Sequence, residues 1–475
     1  MKKILLISWI MICLGACTSQ FEEINTNPNI PINVTPDLLL SQVIYVGANE
    51  TALASWNKGN IIAQHTAKIN FTDFDRYLWG SESGLWNTYY GNLRDIKNLE
   101  EISIELGNQS YQAMALVMKA WTFSLLTDNW GDIPYSEAIS GKSDGIFQTK
   151  YDAQEDIYNG ILADLATANE LFKSGQGIQG GDLLFDGDIE NWRKFTNALR
   201  IRFLVRISNK KDVSAELQSI VANEPIFEGN EDNAVMEYYG SQPSTWPVHV
   251  YRVGSFDEYR LSHTIEDRLN QFNDERLSRW FRPTDASIGS ADPVFSGMPN
   301  GLSENNASTY NGGALNVSRC GQILYEEPNA VDAIVMTYGE LQFLLAEAAQ
   351  KEWISGDAKT FYENGVKASF EYWEVAQDTD AYLAQDGVAY DGKLETIITQ
   401  KWINSFLTGF EGWYDFRRTG LPSFIQPGPD NVNGDEVPVR FLYPDDQQTL
   451  NGDNYQEAIS RQGADDINTK MWSIK

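Results

Sequence analysis

Met336-Thr-Tyr-Gly-Glu-Leu-Gln-Phe-Leu-Leu-Ala-Glu-Ala348 is the stretch whose reading decides the fold. Leu341, Leu344, Leu345 and Ala348 recur at three- and four-residue spacing, so they share one face of a helix. A second stripe follows closely, with Phe361, Gly365, Ala368 and Tyr372. Two apolar-striped helices this near in sequence read as a hairpin. The pattern recurs upstream. Met114, Met118, Trp121 and Leu125 form one stripe, Ile157, Ile161, Leu165, Ala168 and Phe172 another, and Phe195, Leu199, Phe203 and Ile207 a third. Thr35-Pro36-Asp37 opens the first helix, with Thr35 as the cap and Pro36 at the first position. The helices come in neighbouring pairs. The expected fold is therefore mainly α, a scaffold of stacked helical hairpins similar to tetratricopeptide repeats.

Residues 223–333 break the pattern. They are rich in Gly, Ser, Asn, Pro and aromatics, and only about 262–281 carry helical spacing, through Ile265, Leu269 and Phe272. A long irregular segment in a helical protein is either a functional insertion or disorder, and its Trp and Tyr content argues for order. The segment 421–458 is similar, with 430–436 reading as an acidic loop. The expectation is one domain over 35–475, half regular and half loop-rich.

The first residues are of another kind. Lys2 and Lys3, the apolar run Ile4 to Leu14, and then Gly15-Ala16-Cys17 match a bacterial lipoprotein signal peptide. Cleavage after residue 16 makes Cys17 the lipidated first residue, and 17–34 becomes a polar tether. The anchored chain then lies outside the cytoplasm.

The full chain has 475 residues and a net charge of −30, and losing Lys2 and Lys3 makes it more negative. Such a chain is repelled by phosphate backbones, which argues against nucleic acid. An anionic membrane repels it too, so lipid must do the anchoring. Once Cys13 leaves and Cys17 is acylated, Cys320 is the one cysteine remaining, so no intramolecular disulfide is expected. Three histidines argue against a His-rich metal site.

Several motifs tempt and fail. Gly175-Gln-Gly-Ile-Gln-Gly180 has the GxGxxG spacing but follows a helix instead of a strand, so it reads as a flexible loop. The 430–436 loop has Val432 where a calcium loop needs a ligand. Arg200, Arg202 and Arg206 on one helix, and Arg417-Arg418, read as internal ion pairs in an acidic chain, in preference to an anion site. No cofactor is expected from these motifs, and at the acidic loop an irregular ion site stays open. A helical glycoside hydrolase stays open as an alternative, because paired acids are common in such a chain.

A set of segments in one order resembles the SusD/RagB family of nutrient-binding outer-membrane lipoproteins. They are Phe21-Glu-Glu-Ile-Asn-Thr-Asn-Pro-Asn29, Thr127-Asp-Asn-Trp-Gly-Asp-Ile-Pro-Tyr135, the Trp192–Arg202 and Met336–Ala348 stretches, Ile398-Thr-Gln-Lys-Trp402, Trp413-Tyr-Asp-Phe-Arg-Arg-Thr-Gly420, Val437-Pro-Val-Arg-Phe-Leu-Tyr-Pro444 and Thr469-Lys-Met-Trp472. The resemblance implies four tetratricopeptide-like helix pairs supporting an irregular half. It implies lipid attachment to the outer face of the outer membrane, and a SusC-type TonB-dependent transporter as partner. It implies an oligosaccharide ligand or, in some members, a peptide, with no catalysis. A structural lid or adhesin without a ligand of its own is a third reading.

No ligand residue follows from the resemblance. Sugars stack their C–H faces on rings and bond their hydroxyls to polar groups, so the candidates are loop aromatics beside Asp, Asn or Arg. One cluster is Asp73, Asp75, Arg76, Tyr77 and Trp79. The other is Trp246, Tyr251, Tyr259 and Tyr310. Trp86, Tyr89 and Tyr90 read as core. The expected site is a shallow groove between the 73–79 loop and the 240–310 region.

Overall fold

Asn108, Asp188, Thr337 and Asp357 each precede a helix and accept hydrogen bonds from its first free N–H groups. The computed structural model describes residues 34–475. Its main helices are α1 (Pro36–Ala54), α2 (Ser83–Glu105), α3 (Gln109–Trp130), α4 (Gln154–Phe172), α5 (Ile189–Arg206), α6 (Ser214–Asn223), α7 (His263–Gln271), α8 (Tyr338–Gln350), α9 (Ala358–Tyr372), α10 (Leu394–Asn404), α11 (Glu411–Thr419) and α12 (Gly452–Gln462). Pro36 opens α1 as the sequence implies, although the Thr35 side chain makes no capping bond. Cys17 and most of the expected tether lie outside the described residues.

The stripes read from the sequence are buried and face one another. α3 packs between α2 and α4, α4 packs on α5, α5 on α8, and α8 on both α9 and α10. α3 also touches α1 and is buried on nearly every side, which is why its apolar residues surround it and do not form one stripe. Gly365 on α9 marks the closest approach of its hairpin: a Cβ there would lie 2.9 Å from the Phe343 ring.

Inside this stack runs a network of buried charges. Arg206 on α5 pairs with Asp128 on α3 and Glu411 on α11. Arg202, one turn earlier, pairs with Glu340 on α8 at 2.6 Å. Arg418 bonds Glu347 at 2.6 Å and Asp415 at 3.0 Å, and Lys401 reaches Asp415 at 2.7 Å. Burial opposes the Asp415 charge, but Lys401 and Arg418 overcome it and hold the carboxyl below its ordinary range. Arg417 takes a different partner, stacking 4.1 Å from the Trp413 ring and donating to the carbonyls of Asp128 and Val439. The internal-pairing reading holds for Arg200, Arg202, Arg206 and Arg418 and fails for Arg417, which meets rings and carbonyls in place of a carboxylate among the described residues.

The irregular half is ordered by two antiparallel two-stranded sheets, β1 (Thr66–Lys68) with β3 (Tyr259–Leu261) and β2 (Ala234–Met236) with β4 (Ala333–Met336). Residues 262–281 supply α7 and a short helix, Arg276–Trp280. The 175–180 loop opens no helix, but it is pinned where looseness was expected. The Tyr111 hydroxyl donates to the Gly180 carbonyl and accepts from the N–H of Gln179.

Removing one member of the charge network leaves its partners buried and unpaired. Arg206→Met is expected to lower stability by about 3–5 kcal/mol. Arg279→Met, at an exposed pair with Glu374, is expected to lower it by less than about 1 kcal/mol. Urea unfolding of both variants checks the contrast.

Candidate functional site

The register of β1 and β3 sets the site. Ala67 opposes Arg260 and Lys68 opposes Tyr259, so alternation puts Lys68 and Tyr259 on one face and Ala67 and Arg260 on the other. On the first face the Lys68 ammonium lies 4.1 Å from the Tyr259 ring centre and 2.6 Å from Glu258. A π-helical turn, Ser55–Gly59, continues α1 and places Trp56 against Tyr259, while Asn57 accepts the Tyr259 hydroxyl at 3.0 Å. The second face carries a small satellite core of Ala67, Ile69, Met298, Leu302, Ala307 and Val317, with Tyr310 packed on it.

Beyond β1 the chain turns through residues 71–79, and distant segments brace that turn. Asp75 is buried. Its carboxylate accepts from the Lys68 N–H at 3.0 Å and from Asn300 Nδ2 at 2.8 Å. Burial pushes its carboxyl up to about 7, against the pull of those bonds. Glu304 accepts the N–H groups of Phe71 and Thr72 at 3.1 and 3.2 Å. Arg76 Nε donates to the Asp430 carbonyl at 3.0 Å, and the Asp430 carboxylate accepts from the Ser303 N–H and from Asn306.

Phe71 and Tyr77 sit at φ of 55° and 65°. Side chains with a Cβ are strained there, and such strain persists only where the surroundings over-determine it, often at ligand sites. The product is a phenyl ring, 71% exposed, carried on a braced backbone at Phe71. Asp73, Asn305 and Asn306 are exposed nearby and Arg76 is half-buried. An exposed ring beside amides, a carboxylate and a guanidinium can stack on a sugar's apolar face while its hydroxyls bond to the polar groups.

The sequence candidates divide by burial. Asp73 and Arg76 lie on this loop, Tyr310 is half-buried against the satellite core, and Tyr251 is half-buried in the turns before β3. Asp75, Tyr77 and Tyr259 are buried and build the site from beneath. Trp79 is half-buried, stacked on Phe74 at 4.9 Å and edge-on to Trp413, with its Nε1 donating to the Phe74 carbonyl. Trp246 is fully buried, and its Nε1 donates to the Leu324 carbonyl at 2.8 Å. Burial takes Trp246, Tyr259, Tyr77 and Asp75 out of a ligand's reach, contrary to the expectation for exposed loops. Asp75–Asn300 and Glu304–Phe71 bonds tie together the two segments expected to wall the groove. Trp86 and Tyr89 are core, as read. Phe71 escaped the sequence reading. It lies in no stripe, and nothing local announces its backbone conformation.

A family model described as SusD-like, starch-binding and associating with the outer membrane matches residues 28–444. The chain belongs to the SusD-like family. An outer-membrane protein of Bacteroides vulgatus, described in terms of nutrient binding, superposes with a TM-score of 0.83 at 30% identity, covering 93% of this chain and 100% of that one. A SusD homolog of Bacteroides fragilis gives 0.79 at 27% identity, and a chitin-binding protein gives 0.81 at 28%, both with the same coverage. No curated protein matches the sequence. The SusD-like fold accounts for the helical stack with its irregular half.

Two outcomes follow for the candidates that the structure buries. Trp246→Ala removes a fully buried ring and is expected to cost about 3–5 kcal/mol in a denaturant titration. Asp75 carries a raised pKa in the folded chain, so the folded state binds its proton more tightly than the unfolded state. Its contribution to stability is full below its ordinary value of 3.8 and is lost as pH rises to about 7. The stability difference between wild type and Asp75→Asn should therefore shift against wild type between pH 4 and pH 7.5. A difference that stays constant with pH would show that Asp75 titrates normally.

Proposed function

We propose that this SusD-like protein captures oligosaccharides at the outer face of the outer membrane, held there by lipid on Cys17, and hands them to a SusC-type TonB-dependent transporter. The observation that carries the reading is the Phe71 ring, exposed on a loop that Glu304, Asp430 and Asp75 brace from three sides. Bracing matters because a loop whose backbone is already held loses little freedom when a sugar binds on it. The chitin-binding relative at 28% identity supports a glycan over a peptide.

The chemistry of the surface favours binding over hydrolysis. A glycosidase needs an accessible carboxylic acid of raised pKa beside an ionised one. Asp75 has the raised pKa but is buried under the loop. Asp430 has the opposite shift, held low by hydrogen bonds from the Ser303 N–H and Asn306. Both carboxylates act as braces.

Phe71→Ala is expected to weaken oligosaccharide binding about tenfold, equivalent to about 1.4 kcal/mol. Its melting temperature should stay near wild type, because an exposed ring contributes little to folding. Calorimetry on chito-oligosaccharides and malto-oligosaccharides, with the sugars recovered and sized after prolonged incubation, checks both points. Binding unchanged in the variant, or shortened sugars, would count against the reading.

A further inference from the structure

Among the described residues six arginines are buried: Arg202, Arg206, Arg260, Arg276, Arg418 and Arg440. Five have a carboxylate partner. Arg202 has Glu340, Arg206 has Asp128 and Glu411, Arg276 has Asp274, Arg418 has Glu347, and Arg440 has Asp465. Arg260, only 5% exposed, has none among the described residues. Its one hydrogen bond is a 3.5 Å contact from Nη1 to the carbonyl of the adjoining Tyr259, and its Nε meets no acceptor. A buried guanidinium without an anion costs several kcal/mol. In a chain with 66 acidic residues, that omission is not for want of carboxylates.

The backbone shows what stands beside it. Arg260 forms a bridge with Arg319, Phe281 forms one with Cys320, and the Arg282 N–H donates to the Arg319 carbonyl at 3.0 Å. Alternation therefore sets Arg260, Arg319 and Arg282 in a row on one face, the face of Ala67 and the satellite core. Like charges side by side across strands repel. Two carboxylates answer them: Asp257 pairs with Arg319, and Asp285 pairs with Arg282 while standing 3.7 Å from Arg319. Three cations face two anions, and the unanswered cation is the buried one. The side chains of Arg282 and Arg319 are 21% and 23% exposed, which leaves an approach from solvent.

We propose that the Arg260–Arg319–Arg282 row binds an oxyanion, the carboxylate or sulfate group of an acidic oligosaccharide, which supplies the counter-charge that Arg260 lacks. Planar guanidinium forks suit both groups. Ile69 of the satellite core lies two residues before Phe71, so this core joins the arginine row to the loop that carries the exposed ring. The inference rests on the reading of this face as the glycan-binding side, and it names the substrate class.

The test compares wild type with Arg260→Met and Arg319→Gln. Inorganic sulfate, matched against chloride at equal ionic strength, should raise the melting temperature of wild type more than that of either variant. Without sulfate, Arg260→Met should melt at or above wild type, because it removes an uncompensated charge; an arginine with a merely structural role would lower it. Oligogalacturonate should bind at least tenfold tighter than its carboxyl-reduced counterpart, and both variants should erase that preference. A sulfated neutral oligosaccharide run in parallel tells sulfate from carboxylate as the natural group. An equal sulfate response in all three proteins overturns the inference, whatever the sugars do. Neutral binding that depends on Phe71 would then leave the broader reading standing, and neutral binding indifferent to Phe71 would fail that reading alone.

Discussion

Arg206 reaches from α5 to Asp128 on α3 and to Glu411 on α11, and the rest of the scaffold is arranged around that pair of contacts. Apolar stripes alone specify that helices pack, and they tolerate sliding by a turn. Buried ion pairs do not, because a helix shifted by one turn strands a charge in the core at a cost of several kcal/mol. Glu411 is shared, lying 3.7 Å from Arg202 as well. Asp415 is shared by Lys401 and Arg418. Sharing means that no helix among α3, α5, α8, α10 and α11 can move without breaking a pair on another. The Tyr158 hydroxyl, bonded to Asp128, brings α4 into the same set.

The network reaches the candidate site through backbone contact. The segment between α10 and α11 passes against the π-helical turn after α1: a Cβ on Gly59 would lie 1.9 Å from the Gly409 carbonyl. Only glycine permits that approach. The Gly409 N–H donates to Ser55 Oγ, and the Leu407 N–H donates to Asn60 Oδ1, so this turn is fixed to the helical half at both ends. Trp56 and Asn57 then hold Tyr259, Tyr259 fixes the register of β3 on β1, and β1 delivers the chain into the braced 71–79 loop. A rigid helical stack thereby positions an exposed ring many residues from any of its ion pairs.

Much of the scaffold was legible in the sequence, because helical period is a local signal. Ile157, Ile161, Leu165 and Phe172 are as buried as their spacing implies, and arginines on an apolar helix in an acidic chain pair inward. The candidate surface was less legible, because its determinants are non-local. Trp246 and Phe71 both lie in loops, and neither has a period to betray its side. Trp246 is covered by Leu324 and Tyr238, while Phe71 is pushed outward by a backbone that Glu304, 233 residues away, holds in place. Tyr77 and Trp79 looked like platforms because aromatic loop residues beside acids often are. Here Asp75 turns inward to Asn300 and draws the segment against the protein, leaving the ring before it exposed.

Buried arginines in both halves pair with carboxylates, as Arg276 does with Asp274 in the irregular half, and the row at Arg260 is the exception that marks the candidate site. In the helical half each buried arginine meets a carboxylate, and the half-buried Arg417 meets aromatic rings and carbonyls, so these charges specify packing. In the irregular half the strand row at Arg260 places cations side by side with too few anions to match them. A chain with a net charge of −30 keeps anions away at long range. Screening confines that repulsion to about 8–10 Å at moderate salt, so an anion that reaches the row meets the local cations. Long-range repulsion with a short-range cationic patch would reward only ligands held close by another contact, such as a ring stacked on Phe71. Selectivity would then come from the two contacts acting together: the ring retains the sugar, and the row discriminates by charge.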